Sequence, residues 1–117
     1  MGRLTTHVLD TARGLPASGL RIQLFSLQGG ARREVASATT NDDGRIDGPV
    51  AEGEGFEAGE YELVFHAGAY FDRIGLELPK PKFLDTVVLR FGVADPGQHY
   101  HVPLLLSPFG YSTYRGS

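Results

Sequence analysis

The stretch HYHVPLLLSPFGYSTYRGS (residues 99–117) decides the fold. Read with a period of two, its first half separates into two faces. Tyr100, Val102, Leu104 and Leu106 form one, large and apolar, as a β-strand lying on a core requires. His99, His101, Pro103 and Leu105 form the other. A second, shorter strand, YSTY, follows the Ser-Pro-Phe-Gly break. Chain ends usually fray into small polar residues, whereas here an apolar strand pattern runs directly into Tyr114, Arg115, Gly116 and Ser117.

Working outward, the same alternation recurs between Gly, Pro and Asp punctuation. It predicts strands over Leu4–Asp10, Leu20–Leu27, Arg33–Thr40, Glu60–Ala67 and Asp85–Val93, with a further short strand beginning near Arg45. TARGLPASG reads as a loop, NDDG as a turn, and GPVAEGEGFEAG (residues 48–59) as a long acidic, Gly-rich connection. AGAYFDRIGL allows two helical turns at most before Pro79 and Pro81. Seven or eight short strands with one brief helix predict an all-β, Ig-like sandwich of two sheets. Sixteen Gly and seven Pro favour the same turn-rich architecture.

The composition excludes several function classes. At 117 residues the chain is expected to form a single domain spanning 1–117. A domain of this size buries roughly two-thirds of its unfolded surface and needs no staple. A net charge of −3 argues against a nucleic-acid partner, which would require a basic face. Without Cys there is no disulfide framework, thiolate nucleophile or thiolate metal site. No apolar run approaches membrane-spanning length, and Met1-Gly2-Arg3 leads straight into strand-like residues with no signal-type apolar region, so no membrane partner and a cytoplasmic location are expected.

Two histidines stand out from the alternation. In the first strand Leu4, Thr6 and Val8 share one face, and Thr5, His7 and Leu9 the other. His7 and His101 therefore both point away from their strand's best core face, each beside a leucine. A mixed apolar and imidazole surface suggests a subunit interface or a lined cleft. A lone strand histidine is more often a hydrogen-bonded surface residue than a catalyst, and His66 and His99 are read that way, His99 as a rim residue. Arg45, after Asp42-Asp43-Gly44, reads by default as a solvated turn residue. The His99-x-His101 spacing also suits a metal, but no acidic or thiolate ligand accompanies it at a recognisable spacing, so no metal is assigned.

Taken together, THVLD, NDDGR, HYHVPLLLSP and YSTYRGS resemble the 5-hydroxyisourate hydrolases, or transthyretin-related proteins, with compatible spacing along the whole chain. YRGS is the most specific mark, since hormone-carrier transthyretins share the LSP and YST portions and lack this ending. The resemblance implies a transthyretin-like sandwich of two four-stranded sheets, assembled as a homotetramer with sites at the dimer–dimer interface. It implies hydrolysis of 5-hydroxyisourate to 2-oxo-4-hydroxy-4-carboxy-5-ureidoimidazoline, with no cofactor. His7, Arg45, His101 and Ser117 are the implied catalytic residues. His7, Arg45, Tyr114, Arg115 and Gly116 are the implied substrate-binding residues. A histidine is the natural group to take a proton from water near neutral pH; His101 is assigned that role, with His7 or the Ser117 hydroxyl assisting. The Arg45 fork suits a urea-like edge or a developing oxyanion, Tyr114 stacks on or hydrogen-bonds the ring, and Leu9 and Leu105 exclude water. The alternative is a transthyretin-like module that binds small ligands without catalysis, and such a channel has no need of two imidazoles, an arginine and a fixed terminal tetrapeptide.

Overall fold

Two strands far apart in sequence run side by side at the centre of the molecule. In a computed structural model that describes residues 2–117, β1 (Arg3–Asp10) pairs in parallel with β8 (His99–Ser107) along its full length, from Arg3 opposite His99 to Asp10 opposite Leu106. β9 (Gly110–Thr113) folds back antiparallel on β8. The outer edge of β1 is shared by three short partners. β5 (Ala51–Glu52) meets Arg3 and Leu4, and β2 (Leu15–Pro16) meets Leu9 and Asp10. Between them a single bridge joins Arg45 to His7.

The second sheet is antiparallel, in the order β4 (Arg33–Thr39), β3 (Arg21–Ser26), β6 (Gly59–His66), β7 (Thr86–Val93). The two-sheet sandwich expected from the alternation is thus present, with one difference in count: the first sheet has five strands because two-residue pieces patch the edge of β1. The strand expected near Arg45 is one bridge only. The DDG turn brings a single residue to an edge whose neighbouring positions β2 and β5 already occupy.

The core follows from the strand periods. Leu4 and Val8 of β1, Ile22 and Leu24 of β3, Leu63 and Phe65 of β6, Val87 and Leu89 of β7, and Leu104 and Leu106 of β8 interleave between the sheets. Each such side chain contributes about 1.5–3 kcal/mol of burial. The Gly-rich connection before β6 is anchored by Phe56, packed between the rings of Tyr61 and Tyr100. One end of the sandwich is closed by α1 (Ala67–Arg73), which buries Tyr70 and Phe71 and stops at Gly75, whose φ of +85° a glycine adopts without strain.

Asp10 sits on the core face of β1 and is almost wholly buried. Its carboxylate accepts the Tyr70 hydroxyl at 2.8 Å and the backbone N–H and Nε of Arg13, both at 3.1 Å. Arg13 Nη2 in turn donates to the Tyr70 oxygen at 2.9 Å. Burying a charge is tolerated only with such pairing. The network fixes the end of β1 against α1, immediately beyond the histidine face.

Candidate active site

The exposed face of the first sheet carries the site, and the parallel register assembles it. Thr5 lies opposite His101, His7 opposite Pro103 and Leu9 opposite Leu105. Residues paired in this way share a face, so the two histidines become diagonal neighbours. His7 Nδ1 is 3.1 Å from His101 Nε2, and the rings stack at 5.3 Å with an angle of 11° between their planes. Leu9 and Leu105, both half-buried, form the apolar end of the same surface.

Arg45 arrives by way of its turn. Asn41 Oδ1 accepts the backbone N–H groups of Asp43 and Arg45 at 2.9 and 3.2 Å, and its backbone N–H donates to the Arg45 carbonyl at 2.6 Å. Gly44 has φ +71°, and a Cβ there would run into the Val8 carbonyl. Only glycine lets the turn come this close. The docked turn is then held by the Val8 N–H donating to the Gly44 carbonyl at 2.8 Å. The residue read by default as a solvated turn position is thereby set beside His7.

The tail is seated just as specifically. The Gly116 N–H donates to the His101 carbonyl at 2.7 Å, closing a bridge between the two residues. A Cβ on Gly116 would stand 2.7 Å from His101 Cδ2, so the backbone rests directly on the imidazole. Arg115 lies on the far side of the tail. Its guanidinium covers the Tyr100 ring at 4.0 Å and donates to Gln98 Oε1 at 3.0 Å and the His99 carbonyl at 3.3 Å. Tyr114 is exposed and bounds the cleft on one side.

These pieces enclose an open cleft of about 440 Å³ lined by Arg3, Thr5, Arg45, His99, His101, Tyr114, Gly116 and Ser117. Of the residues expected at the site, Arg45, His101, Tyr114, Gly116 and Ser117 line this space, His7 supports His101 from beside it, and Arg115 fastens the tail. Arg3 and Thr5 were not singled out from the sequence. Thr5 shares the face of His7 by alternation, but its position beside His101 depends on a strand register that no local pattern reveals. Among the described residues no three His, Asp or Glu side chains converge as a metal would need.

Electrostatics hold both imidazoles neutral. Burial pushes the His7 pKa below its ordinary 6.5, and the Arg45 charge lowers it further. His101 is lowered by burial first, then by His7, Arg45 and His99. A pair of neutral imidazoles beside a fixed cation can take a proton from water at neutral pH, while the cation faces developing negative charge.

The family model described as HIUase/Transthyretin family matches residues 4–116. The chain is 66% identical over 116 residues to 5-hydroxyisourate hydrolase 2 of Rhizobium meliloti (strain 1021), covering 99% of this chain and 97% of that one. Among solved structures it superposes on the 5-hydroxyisourate hydrolase of Klebsiella pneumoniae with a TM-score of 0.83 at 35% identity, each chain fully covered. It also superposes on an (S)-allantoin synthase with a TM-score of 0.94 at 49% identity; this match takes in 99% of the present chain and 44% of that longer one.

Proposed function

The chain belongs to the HIUase/transthyretin family, and from that premise, with two neutral imidazoles in contact beside an arginine, we propose that it hydrolyses 5-hydroxyisourate in purine catabolism. The observation that carries the reading is the His7–His101 contact at 3.1 Å with Arg45 and the YRGS segment closing the same cleft. A site built only to hold a ligand gains nothing from keeping two bases unprotonated.

The chemistry follows from the parts. His101, supported by His7, takes a proton from water as the water oxygen bonds to the ring carbonyl carbon. Arg45 stabilises the oxyanion with permanently charged, planar donors, a contribution of about 3–4 kcal/mol for a preorganised donor. The ring C–N bond then breaks, and the proton passes to the departing nitrogen, giving 2-oxo-4-hydroxy-4-carboxy-5-ureidoimidazoline. No cofactor enters these steps. Tyr114 bounds the flat ring, Gly116 and Ser117 close the cleft against His101, and Arg115 contributes by holding that segment in place.

The single domain is proposed to act in the cytoplasm as a homotetramer, with sites at the dimer–dimer interface. The half-buried Leu9 and Leu105, paired with each other on the cleft face, support a covered rather than a solvated surface there. The deciding experiment is an absorbance assay with freshly generated 5-hydroxyisourate. Decay must accelerate with the protein and fall to the spontaneous rate with His101→Asn. Unchanged decay with the folded parent protein sinks the proposal in favour of a ligand-binding module.

A further inference from the structure

The cleft holds a hydroxyl that the chemistry above does not use. Thr5 Oγ1 is 2.7 Å from His101 Nδ1 and also 2.7 Å from His99 Nε2, while the other His101 nitrogen faces His7. Four side chains therefore lie on one hydrogen-bonded line, His99–Thr5–His101–His7. Its proton arrangements are few. A hydroxyl has one proton to donate, and a neutral imidazole carries one N–H.

Two arrangements matter. If Thr5 donates to His101 Nδ1, the imidazole proton sits on Nε2, and the nitrogen facing His7 is a donor with nothing to offer water. If instead Thr5 gives its proton to His99 Nε2, it accepts from His101 Nδ1–H, and His101 Nε2 is left with a free lone pair. The second arrangement also suits the neighbour, because His7 Nδ1–H then donates to that lone pair until substrate and water arrive. His99, read from the sequence as a rim residue, is the acceptor that makes this direction possible.

We propose that Thr5 is a positioning residue for this hydrolysis: it holds His101 as the Nδ1–H tautomer, with His99 Nε2 accepting the hydroxyl proton, so that His101 Nε2 is the nitrogen that deprotonates water. The proposal rests on the hydrolase reading above. The proton balance closes along the same line. As Nε2 receives the water proton, the Nδ1 proton moves to Thr5 Oγ1 and the Thr5 proton moves to His99 Nε2. The positive charge then rests on an exposed ring at the cleft mouth. The reverse sequence returns one proton to the departing ring nitrogen when the C–N bond breaks, restoring the starting tautomers. Fixing a functional histidine through its second nitrogen is the general means by which its reactive nitrogen is chosen.

The test uses Thr5→Val, which keeps the shape and removes the hydroxyl, Thr5→Ser, which restores it, and His99→Phe. Thr5→Val should lose about 10- to 100-fold in kcat, the range seen when the partner that orients a metal-ligating histidine is removed and taken here by analogy. KM should stay within about twofold. Thr5→Ser should recover most of the loss, and Thr5→Val/His99→Phe should be no slower than Thr5→Val alone. Nitrogen-15 NMR of labelled histidine, assigned with His101→Asn, should show His101 protonated on Nδ1 in the parent and mixed tautomers in Thr5→Val. Parent-like kcat in Thr5→Val, multiplying penalties in the double variant, or Nε2–H His101 in the parent would each overturn the proposal. The ring nitrogen shifts need no substrate. If the parent fails to open 5-hydroxyisourate, the substrate reading falls while the tautomer still decides the role of Thr5.

Discussion

Gly116→Ala would place a methyl group 2.7 Å from His101 Cδ2 and 3.3 Å from its Cβ and Cγ. Ordinary contact begins near 3.4 Å, so the imidazole and the tail must separate by 3.4 − 2.7, or 0.7 Å, at the closest point. The ring has little freedom to retreat, because Thr5 and His7 hold its two nitrogens at 2.7 and 3.1 Å. A displacement of about 1 Å at a reacting group can cost on the order of a hundredfold in rate. The expected loss in kcat/KM is therefore about 10- to 100-fold, or about 1.4–2.7 kcal/mol of transition-state stabilisation. Stability should change much less. The contact at risk is one backbone hydrogen bond, a net contribution of about 1 kcal/mol. For a chain of this size that lowers Tm by roughly 4 °C. Gly110→Ala is the control, since its added methyl meets only Ser107 Oγ, at 3.8 Å. The assay is decay of 5-hydroxyisourate at fixed enzyme beside a thermal melt of each variant. Parental kcat/KM in Gly116→Ala would refute the seating of the tail on His101 as a condition of activity.

Four other outcomes are expected. Arg45→Lys keeps the charge and loses the planar fork, so kcat/KM should fall at least roughly tenfold, about 1.4 kcal/mol, with an unchanged melt; a parental rate would remove Arg45 from the site. Deleting Arg115–Ser117 should abolish most activity and leave the sandwich intact, because the tail lies beyond β9; an active, normally melting deletion would show the tail to be inert. His7 and His101 both have pKa values below 6.5 in the folded protein, so the unfolded chain binds more protons as the solution acidifies. Their contribution to stability is present above pH 6.5 and is lost as pH falls through the folded values, with kcat/KM flat at neutral pH and falling on the acid side; a basic limb alone, read from a pH–rate series, would contradict this. Tyr70→Phe removes one of the donors to the buried Asp10 carboxylate and an acceptor for Arg13, and should cost about 1–3 kcal/mol in denaturant unfolding, with a smaller loss in a mutant already lacking Asp10.

The two faces of β1 and β8 were legible because alternation is local: Tyr100, Val102, Leu104 and Leu106 are buried, and His7 and His101 face the other way, as read from the sequence. Pairing is not local. Nothing in HYHVPLLLS states that Thr5 rather than another residue will stand opposite His101, so the hydroxyl between the histidines was invisible. Arg45 was legible as part of the NDDGR turn and illegible as an edge contact, because its partner His7 lies on a strand 38 residues earlier, a separation of 45 − 7. Asp10 reads as a polar strand end. Its burial depends on Tyr70 and Arg13, and the Tyr70 contact spans 60 residues. The residues of the tail were identified through resemblance, which gives membership of a site and no direction for a side chain. Arg115 illustrates the gap: its guanidinium turns to Tyr100 and Gln98 and leaves the cleft to its neighbours.

The parallel pairing of β1 with β8 also sets a timetable. His7 and His101 are separated by 94 residues, and the whole second sheet is built from the stretch between them. Contacts of this span close a large loop and form late relative to local hairpins such as β3 with β4. During synthesis β1 leaves the ribosome with neither β8 nor the tail to lie against, so a half-made chain has one imidazole and no opposing one. Competence to react therefore appears only once the sandwich is closed.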